Sequence, residues 1–392
     1  MFALRSHALT LCVAALALAA LLAAAAATGA SAVNFAPVSV TFISPQDGWV
    51  IGTAPCGPGS RCVALRSTGD SGRSWVARPV PAGLAGQARN LAAPAQLNVR
   101  FADRENGWIY GDVYNGSRSA LNAELWSTHD GGATWVKQNV AGLGKPNSWI
   151  FDLEASGGLV HLIERNSNFT VGVETSPVGD DRWRPSGAVR LEEPAGGGQP
   201  AAALVLAGSQ GWLVEGNDRG TTGSARLSGG RWVAWTPPCA SVGHSFAIPA
   251  ASSASDLIAV CVMGGFAYPL SKDAPKGATL GSSWLYSSAD GGASFHAGPR
   301  LGGHAFGALL VATPRPGVVL LSEIGSAGRG QTIDASFDGG RTFTTVYRSA
   351  SVVYLAFTDQ SQGVAIVGPA AHTQLLMTFD GGRRWSAVTL GA

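Results

Sequence analysis

One nine-residue pattern recurs along this chain, and a chain assembled from copies of one small unit has few folds open to it. The pattern reads Ser67-Thr68-Gly69-Asp70-Ser71-Gly72-Arg73-Ser74-Trp75 and returns at Ser127 to Trp135, Ser287 to Phe295, Ala335 to Phe343 and Met377 to Trp385. Every copy sets an aspartate (Asp70, Asp130, Asp290, Asp338, Asp380) five residues before an aromatic (Trp75, Trp135, Phe295, Phe343, Trp385), with a glycine three before it.

A second pattern precedes most copies. Val40-Thr41-Phe42 leads to Gly48-Trp49-Val50-Ile51-Gly52, and Val99-Arg100-Phe101 to Gly107-Trp108-Ile109-Tyr110-Gly111. Leu204-Val205-Leu206 and Leu355-Ala356-Phe357 lead in the same way to Gly211-Trp212-Leu213-Val214 and Gly363-Val364-Ala365-Ile366. Each is a β-rich run, a turn and a second β-rich run. Two worn copies of the nine-residue pattern fill the gap between Asp130 and Asp290. Thr175 to Trp183 has Val178 in the aspartate position, and Ser224 to Trp232 has Leu227 there. The aromatic anchors then fall at Trp75, Trp135, Trp183, Trp232, Phe295, Phe343 and Trp385, spaced 42 to 63 residues apart, near one propeller blade each. The expected fold is all-β: a single seven-bladed β-propeller of four-stranded antiparallel blades over residues 33–392.

The chemistry of the repeat fits a turn. Asp and Ser/Thr side chains bond the backbone of tight turns, glycine adopts backbone angles other residues resist, and the aromatic packs back under the hairpin. A lone blade cannot bury both faces of its sheet, whereas a ring of blades can. A catalytic aspartate need not recur in every blade, so the repeated aspartates read as structural.

These motifs resemble the BNR or Asp-box repeats of sialidases, of some xyloglucan-cleaving glycosidases and of the photosystem II assembly factor family. The Phe…Gly-Trp…Gly spacing is most similar to the last, whose members are single seven-bladed propellers. The resemblance spans 33–392 and implies architecture far more than activity. A sialidase would need a Phe/Tyr-Arg-Ile-Pro arginine near the mature start, and Val33 to Ser60 contains no arginine. A two-carboxylate glycosidase would draw on Asp47, Asp103, Asp112, Asp152 or Asp359. Of these, Asp103 and Asp359 share one repeat position, two after Phe101 and Phe357, which points to turn chemistry. No Gly-x-Ser-x-Gly elbow, phosphate loop or His-Glu-x-x-His occurs.

The first 32 residues read as a secretory signal peptide. Arg5 and His7 open it, Leu9 to Ala27 is uncharged, and Ala30-Ser31-Ala32 offers a cleavage site. The competing reading is an uncleaved anchor. No later segment is apolar enough to span a membrane. With 27 Lys+Arg against 25 Asp+Glu, the chain lacks the concentrated basic surface that nucleic acid calls for. Four cysteines follow the leader, and Cys56 with Cys62, and Cys239 with Cys261, are the natural disulfide pairs. Their spacing does not resemble a zinc site, and no metal or cofactor is implied.

In a four-stranded meander the third-to-fourth-strand turns share a rim with the first-to-second, which places every repeated aspartate on one rim. The longest insertions fall on the other: Thr53–Arg61, Asp112–Asn122, Phe266–Ser282, Pro79–Gln96 and Glu192–Pro200. Loops gathered on one face of a rigid scaffold are a usual binding site. Tyr114, Asn115, Arg118, Tyr268, Lys272 and Lys276 lie there and suit a protein or glycan surface. Asn115-Gly116-Ser117 and Asn168-Phe169-Thr170 match glycosylation acceptors. Arg100, on a predicted inner strand, either faces the central channel or pairs with Asp152 of the next blade. The expectation is an exported, monomeric, non-enzymatic recognition or scaffold protein of the cell envelope. The alternative is a secreted glycoside hydrolase.

Overall fold

The computed structural model describes residues 35–391 except 86–96, 115–120, 146–147, 167–169, 193–200, 218–219, 242–244, 264–281, 302–307, 325–329 and 370–371. The leader expected at 1–32 lies outside the described residues. Among the described residues twenty-eight strands, β1 to β28, form seven four-stranded antiparallel sheets, each built from four consecutive strands. Blades one to seven span 36–78, 97–137, 149–192, 201–234, 245–301, 308–349 and 352–387. The expected seven-bladed propeller is observed.

Seven inner strands line the centre: β1 (Ala36–Phe42), β5 (Leu97–Phe101), β9 (Trp149–Ser156), β13 (Ala201–Ala207), β17 (Ser245–Ala251), β21 (Ala308–Ala312) and β25 (Val352–Phe357). The second strand of each blade is covered on both faces by neighbouring blades, so it reads as a near-continuous apolar run rather than an alternation. In β6 (Gly107–Tyr114), Trp108, Ile109 and Tyr110 are all buried. The fourth strands of blades one, two and seven are short and exposed, as in β8 (Val136–Lys137) and β28 (Ser386–Ala387), which blunts those sheet edges.

The hydrophobic core is divided. Among the described residues each of the seven clusters joins one pair of adjacent blades. The blade four–five cluster is the smallest, with Val214, Ala247, Cys239 and Cys261. The disulfide Cys239–Cys261 sits inside it. Among the described residues no strand is shared between first and last blades; Phe35, Val40 and Val50 pack on Val364, Ile366, Leu375 and Met377. Arg66 Nη1 donates to the Leu390 carbonyl and Thr373 Oγ1 to the Pro37 carbonyl at 2.6 Å, so the ring is sealed by side chains.

The Phe…Gly-Trp pattern has a steric cause. The Phe42, Phe101 and Phe357 rings lie over Gly48, Gly107 and Gly363, where an added Cβ would come within 2.5 to 2.7 Å of a ring atom. Each ring then meets the blade's own anchor edge-on: Phe42 with Trp75 at 6.2 Å, Phe101 with Trp135 at 6.3 Å and Phe357 with Trp385 at 6.2 Å.

Two expectations change in detail. Thr53–Arg61 is not a loop but the end of a long hairpin, β2 (Gly48–Gly57) and β3 (Ser60–Thr68), closed by Cys56–Cys62. The 79–96 connection contains a short helix, α1 (Ala82–Ala85), whose Leu84 is buried in the blade one–two cluster. Among the described residues no helix is long and apolar enough to cross a membrane. Two disulfides suit a non-reducing compartment.

Candidate functional site

The nine-residue turns connect third to fourth strands, as expected. Thr68 Oγ1 donates to Asp70 Oδ1 at 2.8 Å and accepts Gly72 N–H at 3.0 Å, while Ser74 donates N–H and Oγ–H to Asp70 at 2.8 and 2.5 Å. The same set recurs around Asp130, Asp290 and Asp338, and Asp380 accepts from Thr378, Arg383 and Arg384. Bonds from Ser74 and Thr134 hold the Asp70 and Asp130 carboxyls down at about 2. These carboxylates are committed to their own turns. Asp103 and Asp359 do the same at the first-to-second-strand turns, accepting backbone N–H groups at 2.7 to 2.8 Å. Asp47 is held by Ser44 at 2.8 Å and Arg104 at 2.9 Å.

Of the residues expected on the loop-bearing face, Tyr114 is the last residue of β6. Asn115, Arg118, Tyr268, Lys272 and Lys276 lie outside the described residues, as do the acceptor asparagines Asn115 and Asn168. Arg100 is described, and it lines the central channel, a cavity of about 590 Å³.

Register shows how the channel is built. Thr41, Arg100, Ala250, Ala312 and Ala356 pair with the second residue of the adjoining strand and Glu154 and Val205 with the third, and all seven, one from each blade, line the channel. Only two of the seven are charged, and they are neighbours. Arg100 Nη2 meets Glu154 Oε1 at 2.7 Å across the blade two–three boundary. Its Nε donates to the Leu153 carbonyl at 3.2 Å and its Nη1 to the Tyr354 hydroxyl at 3.2 Å, so all three guanidinium nitrogens are engaged. Asp152 accepts N–H from Leu153 at 2.9 Å and from Leu204 at 3.4 Å, and the Tyr110 hydroxyl at 3.4 Å.

The two readings of Arg100 therefore combine: it faces the channel and is paired, with Glu154 as the partner in place of Asp152. The sequence signal for Glu154 is the period of two, which puts it on the same face of β9 as Asp152. Burial pushes Glu154 up to about 7 against the pull of Arg100, with Asp152 adding to the rise. Burial also raises Asp152. Burial opposes the charge of Arg100, but Glu154, the two tyrosines and Asp152 outweigh it and lift the guanidinium above its ordinary value. The Arg100 and Glu154 side chains are 18% and 27% exposed. That exposure is to the channel, which places the pair between a surface ion pair and a fully desolvated one. The result is a fixed polar stripe on one wall of a channel whose other lining side chains are mostly apolar.

Three solved structures frame this geometry. YCF48 bound to D1 peptide matches with a TM-score of 0.55 at 17% identity, covering 89% of this chain and 94% of that one. YCF48 from Cyanidioschyzon merolae matches at 0.52 and 13%, covering 89% and 96%. The likeness is one of fold. An ulvan lyase, a polysaccharide-cleaving enzyme, matches equally well at 0.54 and 13%, covering 92% of this chain and 97% of its own. No family model matches this chain, and no curated protein does.

Proposed function

We propose that this chain is an exported recognition propeller that binds a protein segment at the cell envelope, with 1–32 as its leader and 33–392 as its working domain. The nine-residue turns are then Asp-boxes of the BNR type, which build the scaffold. The observation that carries the reading is the channel stripe. Arg100, Glu154, Asp152 and Tyr354 are pre-positioned by mutual contacts on rigid strands, an arrangement suited to orienting a ligand at low entropic cost. The loops of the opposite rim, with Tyr114, Asn115, Arg118, Tyr268, Lys272 and Lys276, would extend that surface. The fold likeness to a propeller holding a peptide is in keeping with a protein partner, and that to a polysaccharide-cleaving propeller with the competing glycan reading.

The test is capture from envelope extract by the purified chain, followed by direct titration of the identified partner. A Tyr114→Ala/Tyr268→Ala variant is run beside it. A partner that binds the native chain and is lost from the folded variant supports the reading. Equal binding to both removes the loop face from it. The competing reading, a secreted glycosidase or lyase, rests on Asp152 and Glu154, two raised carboxyls two residues apart in the channel. Glycan cleavage that disappears in Glu154→Gln would replace the first reading with the second.

A further inference from the structure

Blade three carries a second polar site, away from the channel. Glu164 of β10 (Leu159–Arg165) pairs in register with Gly172 of β11 (Thr170–Pro177), and Leu162 pairs with Glu174. The two glutamates are therefore diagonal neighbours on one face of the sheet. Their exposures are 5% and 6%. Both line a cavity of about 530 Å³, together with Val171, Val173, Pro185 and Val189. Among the described residues Glu164 Oε2 is buried without a hydrogen-bond partner.

The chain makes room for this carboxyl. A Cβ added at Gly172 would lie 3.1 Å from Glu164 Oε1, and one at Gly142 would lie 3.0 Å from Oε2. Burial pushes both carboxyls up to about 7, and Glu174 adds to the rise at Glu164. Lys145 is the other charged side chain among the described lining residues.

Unpaired buried carboxyls are costly and adjacent ones doubly so, which makes them rare outside sites that meet a cation. Size selects the kind of cation. A water molecule's share of volume is ~30 Å³, whereas this cavity falls within the roughly 300–1,000 Å³ of small-molecule sites. Its walls are partly aliphatic. Among the described residues no third carboxylate, cysteine or histidine joins the pair as a metal-binding group, and hard metal ions draw on about six oxygen ligands or more.

We propose that this cavity binds an organic cation, an ammonium or guanidinium group on an apolar stem, with Glu164 and Glu174 as its counter-charge. The site is independent of whatever the channel binds.

Calorimetric titration of the full chain with n-butylammonium and n-butylguanidinium, with n-butanol as the neutral control, tests it. Both cations bind and butanol does not. Binding is about tenfold tighter at pH 8 than at pH 6, because a carboxyl titrating near 7 must lose its proton first. Glu164→Gln and Glu174→Gln each weaken binding by about tenfold or more, while their melting temperature at pH 8 holds or rises, which shows that they fold. Capped lysine and arginine amides separate two sources of the same chemistry. If they bind as the bare amines do, the cation is a side chain of a protein; if only the bare amines bind, it is a free small molecule. Three results overturn the proposal: no binding at millimolar concentration, equal binding of butanol, or binding that survives Glu164→Gln. Arg190 pairs in register with Gly172, so Arg190→Ala is included. Cation binding that emerges only in that variant means the chain neutralises the pair itself, and also overturns it.

Discussion

In blade one the anchor Trp75 donates its indole N–H to the Gly72 carbonyl at 3.1 Å, and in blade seven Trp385 donates to Gly382 at 3.2 Å. In blade five, where the anchor is Phe295, Trp235 takes the equivalent Gly292 carbonyl at 2.8 Å. In blades three and four, whose turns are worn, the Trp183 and Trp232 indole nitrogens are buried without a partner among the described residues. The defect reaches a neighbour. Trp49 and Trp212 donate to Gly131 and Gly291 in the intact turn of the following blade, at 3.3 and 3.0 Å. Trp108 packs against blade three, and among the described residues its indole nitrogen has no partner. Blade four replaces the turn by a two-residue hairpin, Gly229-Gly230, both at positive φ. Intact turns thus do more than reverse the chain: those of blades one and seven supply an acceptor to their own anchor and those of blades two and five supply one to the preceding blade, while the blade two anchor Trp135 donates to the Pro79 carbonyl at 3.0 Å. Where the turn is lost, unsatisfied polar atoms and buried titratable groups gather.

The comparison sets the expected response to pH. Glu164 and Glu174, raised to about 7, hold protons in the folded state that the unfolded chain has already lost. Their contribution is full below the ordinary glutamate range and declines as pH rises through 7. His161, pushed down to about 4 by burial, works the other way, losing its contribution as pH falls from 6.5 toward 4. Glu154 sides with the two glutamates. Stability is therefore expected to fall from pH 5 to pH 8. Glu164→Gln should raise stability at pH 8 by roughly 3 kcal/mol and flatten the profile, as read by denaturant unfolding at several pH values. An unchanged slope would remove Glu164 from the account.

The intact turns should behave oppositely. Asp130→Ala is expected to lower the melting temperature at pH 7 by about 2–4 °C. The gap should close as pH falls toward 2, where the native carboxyl itself protonates. A smaller effect separates the two kinds of blade interface. Trp49→Phe and Trp108→Phe remove similar volume, but only the first breaks an indole hydrogen bond, so it should cost about 1 kcal/mol more. Equal losses would mean that the Gly131 acceptor contributes nothing. Smallest is Ser71→Gly. Ser71 sits at φ 63°, where the other intact copies have glycine, and relief of that conformation should stabilise by about 0.5–1 kcal/mol.

The ring was legible in the sequence because its causes are local. Aspartate, glycine and aromatic at set offsets make one turn, and a phenylalanine lying on a glycine makes one hairpin, whichever blade they occupy. The Cys56–Cys62 pair was legible for the same reason, being closed by a short turn. The channel was half legible: Arg100 stands out as a charge on an apolar inner strand, but its partner depended on the register between blades two and three. Glu164 and Glu174 carry no signal of their own. Each sits in an ordinary strand, and only the β10–β11 register and the glycines at 142 and 172 bring them together over a cavity.

Hydrogen exchange followed by mass spectrometry at pH 5 and pH 8, corrected for intrinsic rates, tests the division of the ring most directly. The expected result is that β10 and β11 lose protection at pH 8 relative to β3, β7 (Leu121–Thr128) and β27 (Gln374–Thr378), which lead into intact turns, and that Glu164→Gln restores it. A uniform change across all seven blades, or a loss confined to the blades with intact turns, would contradict it.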